Sequence, residues 1–215
     1  MKYQSAIVVD TSPLLNVIAS GQPGQILAGV RSQVVVAEVT IREVRRNPRS
    51  GFNAGPLLDE MIARDLLTPI EFDNVAMELF FELVSGEYHT AIGDGEAGAI
   101  AVAIANALPV VLDDQKAARA AKKSAAHLQI ISSIDLFIAA QSQGTLPCAA
   151  LSDALYDALV YARMRVPSAN IKWVREVLGD ERFLQCPSIA QRFRASTTAT
   201  SEVQSRETAR RIQRS

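Results

Sequence analysis

Short apolar runs alternate with longer amphipathic stretches over roughly the first 145 residues. The short runs are rich in valine and isoleucine and predict strands at 6–9, 34–36, 109–112 and 129–131. The longer stretches carry apolar residues at helical spacing and predict helices at 14–21, 25–30, from Thr40 onward, 54–66, 75–83, 95–107, 116–126 and 134–141. Strands separated by helices predict an α/β fold, a three-layer α/β/α arrangement with a central parallel sheet.

The pattern becomes entirely helical after Gly144, with two further helices predicted at 152–163 and 168–178. We therefore expect a catalytic-type domain over 1–145 and a C-terminal helical extension over 146–190 that packs on it. Residues 191–215 hold six arginines against two glutamates, and from about Ala195 onward the composition is rich in Thr, Ser, Arg and Gln with almost no apolar residues. That composition predicts a disordered basic tail.

Composition narrows the class of protein. Of the 215 residues, 48% are hydrophobic and 21% are charged, which is enough apolar material for a sizeable core. The formal net charge of −1 means that any nucleic-acid contact must come from a local patch. The two cysteines form no CxxC pair, and the sequence contains neither a signal-peptide pattern nor an apolar run of transmembrane length. We expect a cytoplasmic protein that does not associate with membranes.

Two of the predicted strands run directly into aspartates, one into Asp10 and the other into Asp113 and Asp114. The carboxyl ends of parallel strands share one edge of a sheet, where α/β proteins place their ligands. Glu43 and Glu96, near the starts of two predicted helices, are expected at the same edge. Carboxylates held close together resist joint ionisation, and their oxygens suit Mg²⁺ or Mn²⁺. These five acids are the candidate catalytic and metal-binding residues of a phosphodiester hydrolase, in which the cation activates a water and neutralises phosphate charge.

Three of these acids also have simpler interpretations. Asp10 is in a position where an aspartate commonly forms a turn after a strand. Thr40 and Glu43 have the spacing of a capping box, in which the glutamate would bond back to the backbone at the helix start. Glu96, together with Asp94, could serve only to complement the dipole of the helix that it opens.

The aspartate pair and its neighbours have alternatives as well. Asp113 or Asp114 could cap the helix that begins at Lys116, and the sequence does not decide which of the two would be a metal ligand. Ser12, Lys116 and Arg119 are candidate substrate-binding residues, since hydroxyl and cationic groups contact phosphates. For the two cations, the alternative is an ordinary solvated helix face.

Four segments that carry these acids resemble the motifs of PIN domains. They are VVDTSPLL at 8–15, VVVAEVTIREV at 34–44, GEAGAIA at 95–101 and VLDDQKAAR at 111–119. Residues 134–144, 163–167 and 178–180 further resemble a prokaryotic PIN subgroup of predicted nucleic-acid-binding proteins, so that the resemblance extends over roughly 6–181.

The resemblance to PIN domains implies the ribonuclease fold of VapC-type toxins. It implies a Mg²⁺- or Mn²⁺-dependent endoribonuclease that acts on RNA, and a candidate toxin of a type II toxin–antitoxin pair. The implied partners are an RNA substrate, a cognate antitoxin and a second copy of the chain in a homodimer. The alternative is a nuclease-inactive PIN-fold module that binds nucleic acid or protein and uses its carboxylates as helix caps.

Overall fold

A five-stranded parallel sheet forms the centre of the computed structural model, which describes residues 6–46, 53–85 and 92–189. In chain order the strands are β1 (Ala6–Val9), β2 (Gln33–Ala37), β3 (Thr68–Ile70), β4 (Val110–Val111) and β5 (Ile130–Ile131). Their order across the sheet is β3-β2-β1-β4-β5, and every neighbouring pair is parallel. The predicted α/β class and central parallel sheet are therefore confirmed.

Ten α-helices occupy the described part of the chain: α1 (Thr11–Ala19), α2 (Pro23–Ala28), α3 (Glu38–Arg46), α4 (Ala54–Ala63), α5 (Asn74–Val84), α6 (Asp94–Ala105), α7 (Gln115–Ser124), α8 (Ser133–Ser142), α9 (Cys148–Tyr161) and α10 (Ile171–Gln185). A short 3₁₀ helix, Ser168–Asn170, precedes α10. None of the helices among the described residues is both long and apolar enough to cross a membrane.

The boundaries differ from the predicted ones where backbone geometry outweighs the apolar pattern. Helix α4 ends at Ala63 rather than residue 66, because the chain turns at Asp65 with a left-handed backbone (φ 55°). Strand β3 was not predicted because Pro69 interrupts it. It lies at the edge of the sheet, paired only with β2, where a missing backbone N–H is tolerated.

Alternate residues of each strand pack into two different cores, as the two-residue repeat of a strand requires. Ile7 and Val9 of β1 face one core, which also takes side chains from α1, α2, α3, α4, α8, α9 and α10. Ala6 and Val8 face the other core, formed mainly with α6 and α7. The sheet is thus covered on both faces, which gives the predicted three layers, and the C-terminal helices α9 and α10 pack on the first face. The segment predicted to be a basic tail lies outside the described residues.

The order of the strands reverses direction between β1 and β4. From β1 the chain proceeds outward to β2 and β3, and it then returns to place β4 on the other side of β1. Val9 is paired with Val111, and the Asp10 N–H donates to the Val111 carbonyl at 3.2 Å. Because strand connections diverge at such a point, a crevice opens at the carboxyl ends of the two strands. The acids that follow β1 and β4 lie at this crevice.

Candidate metal centre

Asp10 is a buried carboxylate at the centre of the crevice, only 2% exposed. Its carbonyl accepts the Leu14 N–H at 3.0 Å, which fixes Asp10 at the start of α1. The carboxylate oxygen Oδ1 is buried and has no hydrogen-bond partner among the described residues. Burial raises the pKa of Asp10 to about 7; the Thr11 backbone N–H opposes the rise, and the charges of Glu96 and Glu43 add to it. A turn residue at the surface would show none of these features.

Glu43 reaches the crevice from α3. Its Oε2 accepts a hydrogen bond from the Thr11 hydroxyl at 2.8 Å. The capping-box alternative for this residue is wrong, because α3 begins at Glu38 and Thr40 lies inside the helix. The Thr40 hydroxyl instead donates to the Gly95 carbonyl at 3.5 Å, which joins α3 to α6. Glu43 therefore does not form a capping box with Thr40.

Gly95 makes the close approach of these two helices possible. A Cβ atom at this position would overlap Glu43 Oε2 and would come within 2.5 Å of Thr11 Oγ1. Any side chain at residue 95 must therefore displace the Glu43 carboxylate or the hydroxyl that holds it. The glycine is needed for space, since it lies in the first turn of a regular helix.

We expect the substitution Gly95→Ala to destabilise the fold and to weaken divalent-cation binding at least about tenfold, because it moves Glu43. A glycine-to-alanine change inside a helix ordinarily stabilises by up to about 1 kcal/mol, so the sign of the effect is diagnostic. Gly24→Ala in α2 is the matched control, since its Cβ would meet only Leu66 Cδ1 at 3.6 Å. Thermal denaturation and calorimetric titration with Mn²⁺ would measure both effects. Equal behaviour of the two variants would show that Glu43 is not held as described.

Glu96 faces the same crevice from the first turn of α6. Its Oε2 accepts the Gly93 N–H at 3.1 Å, so the predicted helix-start role is real for one carboxylate oxygen. Burial raises the pKa of Glu96, the Gly93 bond opposes this, and the charges of Asp114 and Glu43 raise it further. Glu96 is therefore close enough to Glu43 and Asp114 for both charges to act on it. The side chain thus combines a structural bond with a position among the other acids.

The structure separates the roles of the two adjacent aspartates. Asp113 is held by three donors: the Ser133 N–H at 2.8 Å, the Ser133 hydroxyl at 2.5 Å and Asn16 Nδ2 at 2.7 Å. Burial raises its pKa; the bonds from Ser133, the charge of Arg165 and the Asn16 bond lower it. Asp113 therefore fastens the end of β4 to α1 and α8.

Asp114 instead caps α7. Its Oδ1 accepts the Lys116 N–H at 2.6 Å and the Ala117 N–H at 3.0 Å, so the capping alternative is confirmed for Asp114 and does not apply to Asp113. Its other oxygen, Oδ2, lies 3.3 Å from Nη1 of Arg165 in an ion pair.

A cavity of about 330 Å³ opens at this point. Its walls include Glu96, Asp113 and Asp114, and Ser12 and Asn16 from α1. The remaining wall is the segment 162–165, which follows α9. The predicted Ser12 therefore lies at the site.

The two predicted cations occupy different positions relative to the cavity. Lys116 is close enough to lower the pKa of Glu96, whereas Arg119 lies on the exposed part of α7 and, within the described residues, does not line the cavity.

Sequence reasoning missed Asn16 and the two arginines of segment 162–165. Asn16 had a signal, because it is a lone polar residue in the apolar run 14–18 and lies one turn after Ser12 on the same helix face. It is 2% exposed and donates to both Asp113 and Ser133. Arg163 and Arg165 had no comparable signal, since about fifty residues separate them from the acids that they approach.

The Asp10 carboxylate is the observation that favours a divalent cation at this site. A buried anionic oxygen without a hydrogen-bond donor is costly unless a positive charge compensates it. The charges of Glu96 and Glu43 both act on the Asp10 carboxylate. The Thr11 hydroxyl holds Glu43, and the missing side chain at Gly95 leaves room for it. Across the described ranges, however, no three Asp, Glu, His or Cys side chains converge closely enough to hold an ion as they stand.

Comparison with known proteins identifies the fold family. A family model described as DUF3368, a PIN domain, matches residues 6–180. No curated protein matches the sequence. A solved chain from the structure of FitAB bound to IR36 DNA fragment is 18% identical, with a TM-score of 0.38; the match covers 59% of this chain and 94% of that one.

Proposed function

The chain belongs to the PIN-domain family, and on that basis we propose that it is a metal-dependent endoribonuclease that hydrolyses RNA phosphodiester bonds. The observation that carries the proposal is the buried Asp10 Oδ1, which lacks a hydrogen-bond donor and lies beside Glu43 and Glu96. A carboxylate in this state is neutralised by a proton or by a bound cation, and its oxygen is a ligand that hard cations prefer.

The proposed roles follow from the contacts. Asp10, Glu43 and Glu96 would hold Mg²⁺ or Mn²⁺, and a bound cation supplies Lewis-acid activation of water and charge neutralisation at the phosphate. Asp113, with Asn16, would keep the strand end and α1 in register. Asp114 and Lys116 would border the place where the phosphate lies. Asp113 and Asp114 are further proposed ligands; both already accept hydrogen bonds from protein donors, as Glu43 and Glu96 also do.

A nuclease-inactive PIN-fold module is the second candidate. The observation that favours it is that Glu43, Glu96, Asp113 and Asp114 all accept hydrogen bonds from neighbouring protein groups. In such a protein the acids would be structural, and the crevice would bind nucleic acid or protein without cleaving it. The two candidates differ in whether a divalent cation binds at all, which calorimetry measures directly.

A role as a cytoplasmic toxin with a cognate antitoxin, and assembly as a homodimer, rest on the family resemblance. An adjacent small reading frame that encodes a DNA-binding protein, together with growth arrest on expression, would support the toxin role. A lack of both would favour a housekeeping nuclease. Sedimentation of the purified chain would test the dimer.

We expect purified protein to cleave RNA in the presence of Mg²⁺ or Mn²⁺ and not in EDTA, and Glu96→Gln to lower the rate about 100-fold. Glutamine keeps an oxygen for the Gly93 N–H, so the helix start survives while the negative charge is lost. Asp135→Asn is the matched control, because Asp135 bonds the Ser132 N–H at 2.9 Å in the same way at the start of α8. Cleavage that persists in EDTA, or an equal loss in both variants, would contradict a metal-dependent site at Glu96.

A further inference from the structure

Residues 162–165, which follow α9, line the cavity of about 330 Å³ together with Glu96, Asp113 and Asp114. We call it the carboxylate cavity. Met164 is the anchor of this segment: the side chain is 1% exposed within the first core, and its N–H donates to the Ala158 carbonyl at 3.1 Å. Arg163 and Arg165 flank this anchor and are both exposed. Arg163 has a left-handed backbone (φ 55°), which turns the chain sharply at the end of the helix. The buried methionine therefore fixes where the two arginines stand.

The lining of the cavity carries charges of both signs. Glu96, Asp113 and Asp114 line it together with Arg163 and Arg165. Within the described residues, the Arg163 guanidinium forms no ion pair. Arg165 meets Asp114 through a single contact of 3.3 Å, with side chains 61% and 41% exposed. A solvated single contact of this kind adds little stability and can be exchanged for another anion.

Arg165 also borders a second cavity, of about 470 Å³. The walls of this cavity include Gln115 and Ala118 of α7, and Pro167 and Ile171 near the start of α10. Both cavities share Asp113, Asp114 and Arg165, so Arg165 stands at their junction. Each volume lies in the range of small-molecule pockets, roughly 300–1,000 Å³. An extended polymer that occupied both would pass the shared lining of Asp113, Asp114 and Arg165, in which Arg165 is the cation.

We propose that Arg165 binds a backbone phosphate of single-stranded RNA where the strand passes between the two cavities, and that Arg163 supports the phosphate in the carboxylate cavity. This inference rests on the proposed function and assigns it a phosphate-binding residue. A planar guanidinium contacts phosphate through two parallel hydrogen bonds, which a single contact with Asp114 does not use. The substrate phosphate thus replaces Asp114 as the partner of Arg165. Separate concave cavities suit unpaired nucleotides better than the continuous surface of a duplex.

The test measures binding rather than cleavage. A fluorescein-labelled single-stranded RNA of mixed sequence is titrated with the full chain in EDTA, over a series of salt concentrations. We expect Arg165→Ala to weaken binding about tenfold and to reduce the slope of log affinity against log salt by about 0.7, the value for one lost phosphate contact on a single strand. Arg165→Lys should keep the wild-type slope, because it keeps the charge, and should show an intermediate affinity. Arg163→Ala should show a smaller loss in the same direction.

Arg175→Ala is the matched control. Arg175 is also paired with one aspartate, Asp180 at 2.5 Å, but it borders neither of the two cavities as far as the described residues show. The arginines of 191–215 are present in every variant, so differences between variants isolate Arg165. Equal affinity and slope for Arg165→Ala and Arg175→Ala would overturn the proposal. So would a wild-type chain that does not bind the RNA, or equally tight, Arg165-dependent binding of the same sequence as a duplex.

The two proposals can fail separately. Binding that depends on Arg165, in a protein that cleaves no RNA with any divalent cation, would remove the nuclease proposal and leave this inference standing. Metal-dependent cleavage with no contribution from Arg165 to binding would do the reverse.

Discussion

Replacing Asp10 by asparagine is expected to lower the rate of metal-dependent RNA cleavage about 1,000-fold while leaving the fold intact. Asparagine has the same shape and fills the same buried space, but it removes the negative charge that a divalent cation needs. Its amide group would also point a donor toward the place of the cation. Removal of one preorganised electrostatic contact commonly costs about 100- to 1,000-fold in rate, and we expect a loss at the upper end of that range. Rates on a labelled RNA at saturating Mg²⁺ would measure it.

Asp73→Asn is the control for this variant. Asp73 is another aspartate at a helix start, where its Oδ1 accepts the Ala76 N–H at 2.8 Å, and it lies at α5. Asparagine can accept the same bond, so this variant should cleave RNA at the wild-type rate. If Asp10→Asn also cleaves at that rate, Asp10 is not part of a metal site, and the nuclease-inactive alternative gains support from the same experiment.

The second large effect concerns pH. In metal-free protein, we expect stability to fall as the pH rises from about 4 to about 7. The pKa of Asp10 is about 7 in the folded chain against an ordinary value of 3.8, so the folded state holds the proton more tightly across this interval. The unfolded chain therefore releases its proton first, and each pH step favours unfolding until the folded carboxyl also ionises. The difference between the two pKa values corresponds to a loss of roughly 4 kcal/mol in the free energy of unfolding over this interval.

Glu96 and Asp113, whose pKa values burial also raises, act in the same direction. A divalent cation should reverse the trend, because it binds the ionised carboxylates of the folded chain. Mg²⁺ should therefore raise the melting temperature strongly at pH 8 and little at pH 5. Urea titrations in EDTA and in Mg²⁺ at pH 5, 6, 7 and 8 would measure both effects.

Asp10→Asn provides the comparison for the pH series. It should flatten the metal-free profile, since the main titrating group is gone, and should show greater stability than wild type at pH 8 in EDTA. A wild-type profile that is flat between pH 4 and 7, or a stabilisation by Mg²⁺ that is the same at pH 5 and pH 8, would show that Asp10 does not carry a buried charge.

The sequence predicted the sheet and the acids at its edge because both depend on local signals. A run such as 6–9, apolar throughout and followed by an aspartate, is recognisable without any neighbour. The parallel arrangement followed from the helices between strands. Strand β3 was not predicted because proline is excluded from strands except at the edge of a sheet. Whether a strand lies at an edge is known only from the folded sheet.

The missing parts of the site depend on contacts that are distant along the chain. The spacing of Thr40 and Glu43 suggested a cap, but α3 begins two residues earlier, since Glu38 follows β2 directly. The sequence 113–114 could not show which aspartate caps α7 and which joins β4 to α1 and α8. That difference depends on the contacts of Asp113 with Ser133 and of Asp114 with Arg165. Those residues are 20 and 51 positions away from their partners.

The bonds of Asn16 have a consequence for the order of events at the ribosome. Asn16 is made early, yet its partners Asp113 and Ser133 lie 97 and 117 positions later. Strand β4, the neighbour of β1 at the crevice, is likewise late in the chain. A growing chain can therefore form these bonds only after Ser133 has emerged, and Arg165 can join the cavity lining only later. A fragment that stopped between the two would carry all five acids of the crevice without the arginines that complete its lining.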